Sequence, residues 1–337
     1  MQTNVQKEDV HANLQAPPRS FLAIQNLKIS FSTPVGDIDV VRGISFDVSQ
    51  GESVGIVGES GSGKTMTALS LMGLLPRPIG RVTNGSICFE NRDLTKLAEH
   101  EMRSLRGGKI AMVFQDPMSS LSPFYTIGYQ IGEAISCHQK LSRSERDERV
   151  QKLLNDVGIN DPKRRVKQFP HEFSGGMRQR ILIAMSLAND PLLLIADEPT
   201  TALDVTIQAQ VLGLMAQEQK RRNMGLVLIS HDWGVVSALC ERVIVMYGGR
   251  IVEEGSVTDI WNDARHPYTR ALLKSVPHWG MNKTDELTLI PGNPPIPKPG
   301  MKGCAFAPRC PHAQASCFNE FPPEKILGTR RRYSCLL

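Results

Sequence analysis

The chain has 337 residues, enough for one large core with a smaller addition or for two domains. Its 41% hydrophobic and 22% charged residues are ordinary for a globular protein, and a net charge of +5 is too mild to argue for nucleic acid. No run of about 18 uncharged apolar residues exists, so no membrane-spanning helix is expected; the longest candidate, 181–196, is broken by Asn189, Asp190 and Pro191.

Residues 1–20 lack the apolar centre of a secretory signal, so a disordered tail is expected there and a cytosolic location follows as the default. Phe21 to Phe31 alternates loosely between apolar and polar, and Val40 to Val48 does so again after a turn at 34–37, which predicts two strands. The apolar run at 53–57 then leads straight into Gly58-Glu59-Ser60-Gly61-Ser62-Gly63-Lys64-Thr65. This is the pattern G-x-x-x-x-G-K-[ST], a phosphate-binding loop. Its glycines let several backbone N–H groups converge on one anion, and the helix that follows adds partial positive charge at the same place. Lys64 can reach the β- and γ-phosphates, and the Thr65 hydroxyl can ligate Mg²⁺. Ala68, Leu69, Met72 and Leu75 recur at helical spacing until Pro76 stops the run. A glycine turn with a stray lysine would explain the eight residues but not their place between a strand and a helix. A nucleoside triphosphate is the implied ligand.

Gly85 to Glu90 and Lys109 to Phe114 read as strands, the second of them buried. Residues 118–190 turn helical, with Ser142 to Gly158 amphipathic and rich in Arg and Glu. Leu192 to Ala196 and Leu226 to Ile229 are continuous apolar runs of strand length, expected at the centre of a parallel sheet covered on both faces. Strands alternating with helices predict an α/β fold with a parallel-sheet core, and the helical block looks like an insertion. After Trp261 the composition shifts. Residues 291–300 hold five prolines and predict a linker or an extended wrap, and beyond them lie four of the seven cysteines. The run Arg330, Arg331 and Arg332 reads as a solvated face.

Two further constellations carry chemistry. The strand ending in Asp197-Glu198 places one carboxylate to hold the shell of Mg²⁺ and a second to orient and deprotonate a water attacking the γ-phosphate. An acidic pair capping a strand is the plainer alternative. Upstream, Phe173-Ser174-Gly175-Gly176-Met177 opens the apolar helix 181–187, presenting a hydroxyl, free N–H groups and a helix dipole: a second phosphate site on the same chain.

With these motifs in this order, residues 21–260 resemble the nucleotide-binding subunit of ABC transporters. The resemblance makes 58–65 the Walker A loop, Gln115 the Q-loop glutamine, 173–177 the signature and 192–197 the Walker B strand. It makes Glu198 the catalytic glutamate, Asp204 the D-loop aspartate and His231 the switch histidine, and places Phe31 where an aromatic stacks on adenine, although a core phenylalanine fits there too. ATP with Mg²⁺, ligated through Thr65, Gln115 and Asp197, is the implied ligand pair. Phe173 and Met177 depart from the usual leucine and glutamine, while Ser174, Gly175 and Gly176, which face phosphate, are kept. The resemblance also implies that two subunits face each other, each ATP lying between one Walker A loop and the partner's signature, with an antiparallel β subdomain and an α-helical subdomain at about 118–190.

The segment 114–123 and the tail, with His266-Pro267-Tyr268, Pro291-Gly292-Asn293-Pro294-Pro295 and Cys304 through Cys310-Pro311, resemble the oligopeptide/dipeptide importer branch, whose C-terminal extension would be 261–337. That branch implies a second ATPase subunit in a heterodimer, two transmembrane permease subunits, an external peptide-binding protein, no nucleic acid, and a peripheral place on the cytoplasmic face of the inner membrane. Nickel and glutathione importers share much of this tail, and the same role for such a substrate stays open. A soluble ABC ATPase of translation or DNA repair would carry two modules or a long coiled-coil insertion, whereas 58 residues separate Gln115 from Ser174 here. A module that binds ATP without hydrolysing it would not need both Glu198 and His231.

Cys304, Cys310, Cys317 and Cys335 are spaced by 5, 6 and 17 residues, which matches neither a ferredoxin run nor a zinc-finger pair. Four thiolates suit Zn²⁺ or an iron–sulfur cluster, and reduced free cysteines are the plain alternative. The family resemblance implies a [4Fe–4S] cluster on these four. Cys88, Cys137 and Cys240 are scattered and read as core or incidental.

Overall fold

The parallel strands of this chain separate two cores because successive side chains of a strand point to opposite faces. A computed structural model describes residues 20–116, 120–201, 203–276 and 290–337. The expected tail over 1–20, except for Ser20, lies outside the described residues, as do Pro117, Met118 and Ser119 of the Gln115 segment and Ala202 beside Asp204.

Strands β1 (Ser20–Thr33) and β2 (Gly36–Ser49) form a hairpin, and β3 (Ser53–Val57) leads to the helix Lys64–Leu71. Next come β4 (Gly80–Phe89), the two-residue β5 (Arg92–Asp93) and the short β6 (Ile110–Val113). Four strands follow the helical segment: β7 (Leu193–Asp197), β8 (Gly225–Ser230), β9 (Arg242–Tyr247) and β10 (Arg250–Ser256). The chain ends with β11 (Lys325–Gly328) and β12 (Arg331–Tyr333). An antiparallel sheet has the order β2-β1-β4-β5. The main sheet runs β11-β12-β10-β9-β3-β8-β7-β6, with β9, β3, β8, β7 and β6 mutually parallel and β10, β12 and β11 added antiparallel at one edge.

One face of the main sheet contributes Val54, Ile56, Leu193, Ile195, Val227 and Ile229 to a core shared with Leu22, Leu27, Val41 and Ile87 of the antiparallel sheet. The opposite face contributes Leu194, Ala196, Leu226 and Leu228 to a core shared with Ile131, Leu153 and Ile181 of the helical segment. Burial on both faces is why β7 and β8 read as unbroken apolar runs.

The helical segment holds Ile127–Ser136, Arg143–Asp156 and Gly175–Ser186. Thr126 and Ser142 start the first two by accepting from the backbone N–H groups of Tyr129 and Glu145, and Glu145 returns a bond to Ser142 N. Strand β4 begins five residues earlier than the sequence pattern predicts, because the polar stretch Arg81-Val82-Thr83-Asn84 is paired by the long β1.

The arginine run does not form a solvated face. Arg330 reaches Glu52 at 3.1 Å and the Ser49 hydroxyl at 2.8 Å, Arg331 reaches Asp263 at 2.9 Å, and Arg332 donates to Glu254 at 2.7 Å. Glu52 and Glu254 are also the partners of buried Arg242. The run ties the chain terminus to the main sheet through carboxylates far away in sequence, a meaning that charge counting along the chain does not reveal.

Candidate nucleotide site

The Walker A residues follow β3, and Gly63 takes φ +99° as the cap of the helix Lys64–Leu71, on which Lys64 and Thr65 lie. Gly58 is required for space as well as conformation: its φ is +155°, and a Cβ there would lie 2.2 Å from the Met246 carbonyl oxygen. Lys64 is buried and donates to the carbonyl oxygens of Gly58 at 2.7 Å and Glu59 at 3.0 Å. Burial lowers its pKa, opposed by Glu198, Asp197 and Glu59, so the ammonium stands among carboxylates. The Ser62 hydroxyl is buried without a hydrogen-bond partner, an orphan that a phosphate oxygen would satisfy. The loop therefore fits a triphosphate by its own chemistry.

Asp197 ends β7 buried and accepts from the Thr65 hydroxyl at 3.4 Å, so two of the three residues expected to hold Mg²⁺ stand together. Burial, the dominant influence, leaves the Asp197 carboxyl raised despite the Thr65 bond and Lys64, and the neighbouring Glu198 charge adds to the rise. A divalent cation would reverse that balance.

Glu198 lies just past the strand with φ +47°, a left-handed conformation that is strained for a side-chain-bearing residue. Its carboxylate is held by three side chains: Gln115 Nε2 at 2.8 Å, Thr201 Oγ1 at 3.0 Å and His231 Nδ1 at 3.0 Å. Burial opposes its ionisation, but the bonds from His231 and Thr201 outweigh it and hold the carboxyl below the usual range. Gln115 thus touches Glu198 here rather than the Thr65–Asp197 pair. His231 is largely exposed, which leaves its ring accessible from outside the chain.

The signature opens the helix Gly175–Ser186 as expected. Ser174 caps it, accepting from Met177 N at 3.4 Å, and both Ser174 and Gly175 are exposed. Gly176 is buried where a Cβ would lie 2.4 Å from Ile207 Cγ2, so the close approach of the helix Val205–Arg222 fixes glycine there. Phe173, in place of the usual leucine, is a buried core side chain, and Met177 packs against the same core. Asp204 is exposed and caps Val205–Arg222 by accepting from Ile207 N at 2.9 Å. Phe31 is partly buried against the core, its ring lying over Gly80.

Two residues beside the Walker A loop escape sequence reasoning. Tyr268 is fully buried, and its hydroxyl accepts from Glu59 N at 2.8 Å. Arg309 forks onto the Glu59 carboxylate at 2.6 and 3.1 Å and donates to the Tyr247 hydroxyl at 2.8 Å. Tyr268 sits within a quoted tail motif, but no spacing places it or Arg309 next to a residue more than two hundred positions earlier.

All seven cysteines are free. Cys304, Cys310, Cys317 and Cys335 line one narrow, mostly apolar cavity of about 20 Å³, with His266 and His312 also at its wall. Cys304 N donates to Cys317 O at 2.7 Å, so backbone bonds fold the segment around that space. The thiol of Cys304 is pushed up to about 11, by burial first and then by Cys317 and Cys335. Among the described residues no group of three or more His, Cys, Asp or Glu side chains is drawn together tightly enough to hold a metal ion. The donor set suits a four-thiolate centre, but the space holds one water-sized sphere, so a four-iron cube would require the thiols to spread. Of the other cysteines, Cys240 is buried, Cys88 half-buried and Cys137 exposed.

Comparison with known proteins gives the family and the fold. The ABC transporter family pattern matches residues 41–201, and the pattern of the oligopeptide/dipeptide transporter C-terminal region matches 252–317. The dipeptide transport ATP-binding protein DppD of Bacillus subtilis is 49% identical over 94% of this chain and 94% of its own length. The oligopeptide transport ATP-binding protein OppD of the same organism is 51% identical over 94% of this chain and 88% of its own. DppD of Escherichia coli is 46% identical, covering 94% and 96%. Among solved structures, the dimeric post-hydrolysis state of the ATP-binding cassette MJ0796, bound to ADP and Pi, superposes with a TM-score of 0.63 at 26% identity. It covers 70% of this chain and 98% of that one. The chain belongs to the ATP-binding proteins of ABC transporters, in the group that carries the oligopeptide/dipeptide C-terminal region.

Proposed function

We propose that this chain is the ATP-binding and ATP-hydrolysing subunit of an importer that takes up oligopeptides or dipeptides. The observation that carries the enzymatic reading is Glu198, ionised and pinned by Gln115, Thr201 and His231 beside the Thr65–Asp197 pair. Phe31 stacks on adenine, and Glu59, Ser60, Gly61, Ser62 and Gly63 wrap the phosphates with Lys64, which leaves its carbonyl partners for the β- and γ-oxygens. Thr65 and Asp197 would hold Mg²⁺, with Gln115 joining them once it leaves Glu198, and the ion would supply charge neutralisation on the phosphates. Glu198 takes the proton of the attacking water, while His231 keeps its carboxylate in place and turns toward the γ-phosphate. Ser174, Gly175, Gly176 and Met177 complete the site of a facing subunit, whose Asp204 lies across the same seam.

The peptide substrate is supported by the transport of dipeptides and oligopeptides for which these relatives are named and by the C-terminal match. The partners are a second, different ATPase subunit, two transmembrane permeases and an external peptide-binding protein, and the site is peripheral on the cytoplasmic face of the inner membrane. Among the described residues no helix is long and apolar enough to cross a membrane, which fits a peripheral role. We divide the chain into a nucleotide-binding module at 21–260 and an extension at 261–337. Co-purification with its permeases, followed by ATPase assay with peptide, nickel and glutathione delivered by the cognate binding protein, tests the reading. Stimulation by peptide is expected, and stimulation by nickel or glutathione alone would replace the substrate.

The finer cofactor reading is a [4Fe–4S] cluster on Cys304, Cys310, Cys317 and Cys335, which would serve to brace the extension. Anaerobic purification should give about four iron and four sulfide per chain. One zinc per chain with no sulfide, or no metal at all, would overturn it.

A further inference from the structure

Glu59 sets an electrostatic problem for the Walker A loop. Its carboxylate lies close enough to Lys64 to favour the charged ammonium. A lone carboxylate there would compete with the incoming phosphates for Lys64 and repel them. Arg309 solves this from the far end of the chain. Its guanidinium is almost fully buried and makes a two-pronged pair with Glu59 at 2.6 and 3.1 Å, the geometry in which arginine outperforms lysine. Burial acts against the Arg309 charge, yet the Glu59 and Tyr247 bonds outweigh it and leave its pKa raised. Its remaining donors meet the carbonyl oxygens of Pro291 at 2.7 Å and Ile290 at 3.3 Å, so the proline-rich wrap holds it in place.

The backbone of Glu59 is held from the same side. Tyr268 receives its N–H, and Tyr268 packs against Tyr247 with ring centroids 4.4 Å apart and against Phe306 at 5.4 Å. Phe306 immediately precedes the short turn Ala307–Arg309, which delivers Arg309. Both the charge and the backbone of Glu59 are therefore governed by residues beyond 261.

We propose that the C-terminal extension is part of the nucleotide site in cis: Arg309 and Tyr268 are positioning residues that neutralise and orient Glu59, and so set the affinity of the Walker A loop for ATP. The proposal rests on the ATPase reading and adds to it that the extension acts on its own subunit's loop. It predicts charge rescue, which a merely structural contact would not produce. In the full-length protein, Arg309→Ala should raise the Kd for a fluorescent ATP analogue about tenfold and raise the KM for ATP more than it lowers kcat. Adding Glu59→Gln to Arg309→Ala should bring the Kd back to within about threefold of the parent, because the uncompensated carboxylate is gone. Arg309→Lys, which keeps the charge without the fork and covers the case in which the alanine variant does not fold, should fall between parent and Arg309→Ala. An unchanged Kd in folded Arg309→Ala and Arg309→Lys, or a double variant no tighter than Arg309→Ala, overturns the proposal. Lys64→Ala separates it from the reading it rests on: if that variant binds the analogue as tightly as the parent, the nucleotide site itself is misassigned.

Discussion

Two helix starts on this chain are proposed to meet phosphate, and they differ in how much of the work is already done. At the Walker A end, Lys64 and Ser62 are buried, and Glu59 is gripped by Tyr268 and Arg309 from the same chain. At the signature end, Ser174 and Gly175 stand exposed, and the serine hydroxyl caps its own helix. The first is a receptor completed within the subunit. The second fits half of an interface under the proposed function, because the same dipole and N–H chemistry is presented outward. Burial, not motif content, is what differs between the two helix starts, and on the proposed function it separates a site that binds alone from one met by a partner.

The contrast can be broken by removing chemistry from each end separately. The largest effect is expected from Glu198→Gln, which keeps the shape of the side chain and one acceptor oxygen but removes the base. ATP turnover of the assembled transporter should fall by about 10² to 10⁴, while ATP binding remains and the closed two-subunit state accumulates on sizing with ATP. Turnover equal to the parent would remove Glu198 from its role. Because Glu198 is held below the usual carboxylate range, its ionised form should persist on acidification, and turnover should drop only as pH falls through that lowered pKa. Next in size is Ser174→Arg, which places bulk on the exposed face and touches no residue of the Walker A loop. Binding by the isolated subunit should stay within about twofold of the parent, while turnover of the assembly drops about tenfold or more. A parallel loss of binding in the isolated subunit would mean that the two ends are not separate.

The nucleotide-binding half was legible because its chemistry is local. The residues of a phosphate loop lie within eight positions, and β7 and β8 declare themselves by apolar runs that only burial on two faces explains. The clamp on Glu198 was not legible as a clamp: resemblance named Gln115 and His231 for other roles, and Thr201 contacts it through the turn after β7, a relation no pattern announces. The terminal half was opaque for a physical reason. Strand β12 is three residues long and carries two arginines, so it has no alternation to detect, and it is held by pairing with β10 and by carboxylates such as Glu254. Arg309 is likewise defined by a partner 250 positions away. Tertiary ion pairs overrode the plain reading of charge as solvent exposure.

The smallest effect tests where the Walker A end stops. Phe31 lies on β1, partly buried against the core of the antiparallel sheet, and a Cβ on Gly80 would come within 3.1 Å of its ring. A side chain used only for packing and one that stacks on adenine both lose contacts when truncated, so stability alone does not separate the roles. Affinity does. Base–aromatic stacking is worth about 1 kcal/mol or somewhat more, so Phe31→Ala should raise the Kd for ATP about fivefold, and Phe31→Trp, with a larger π-face, should hold it near the parent value. Inorganic triphosphate, which has no base, serves as the internal control and should bind both variants as it binds the parent. If Phe31→Ala weakens ATP and triphosphate equally, the ring acts only through the core, and the site that this chain completes alone ends at the phosphates.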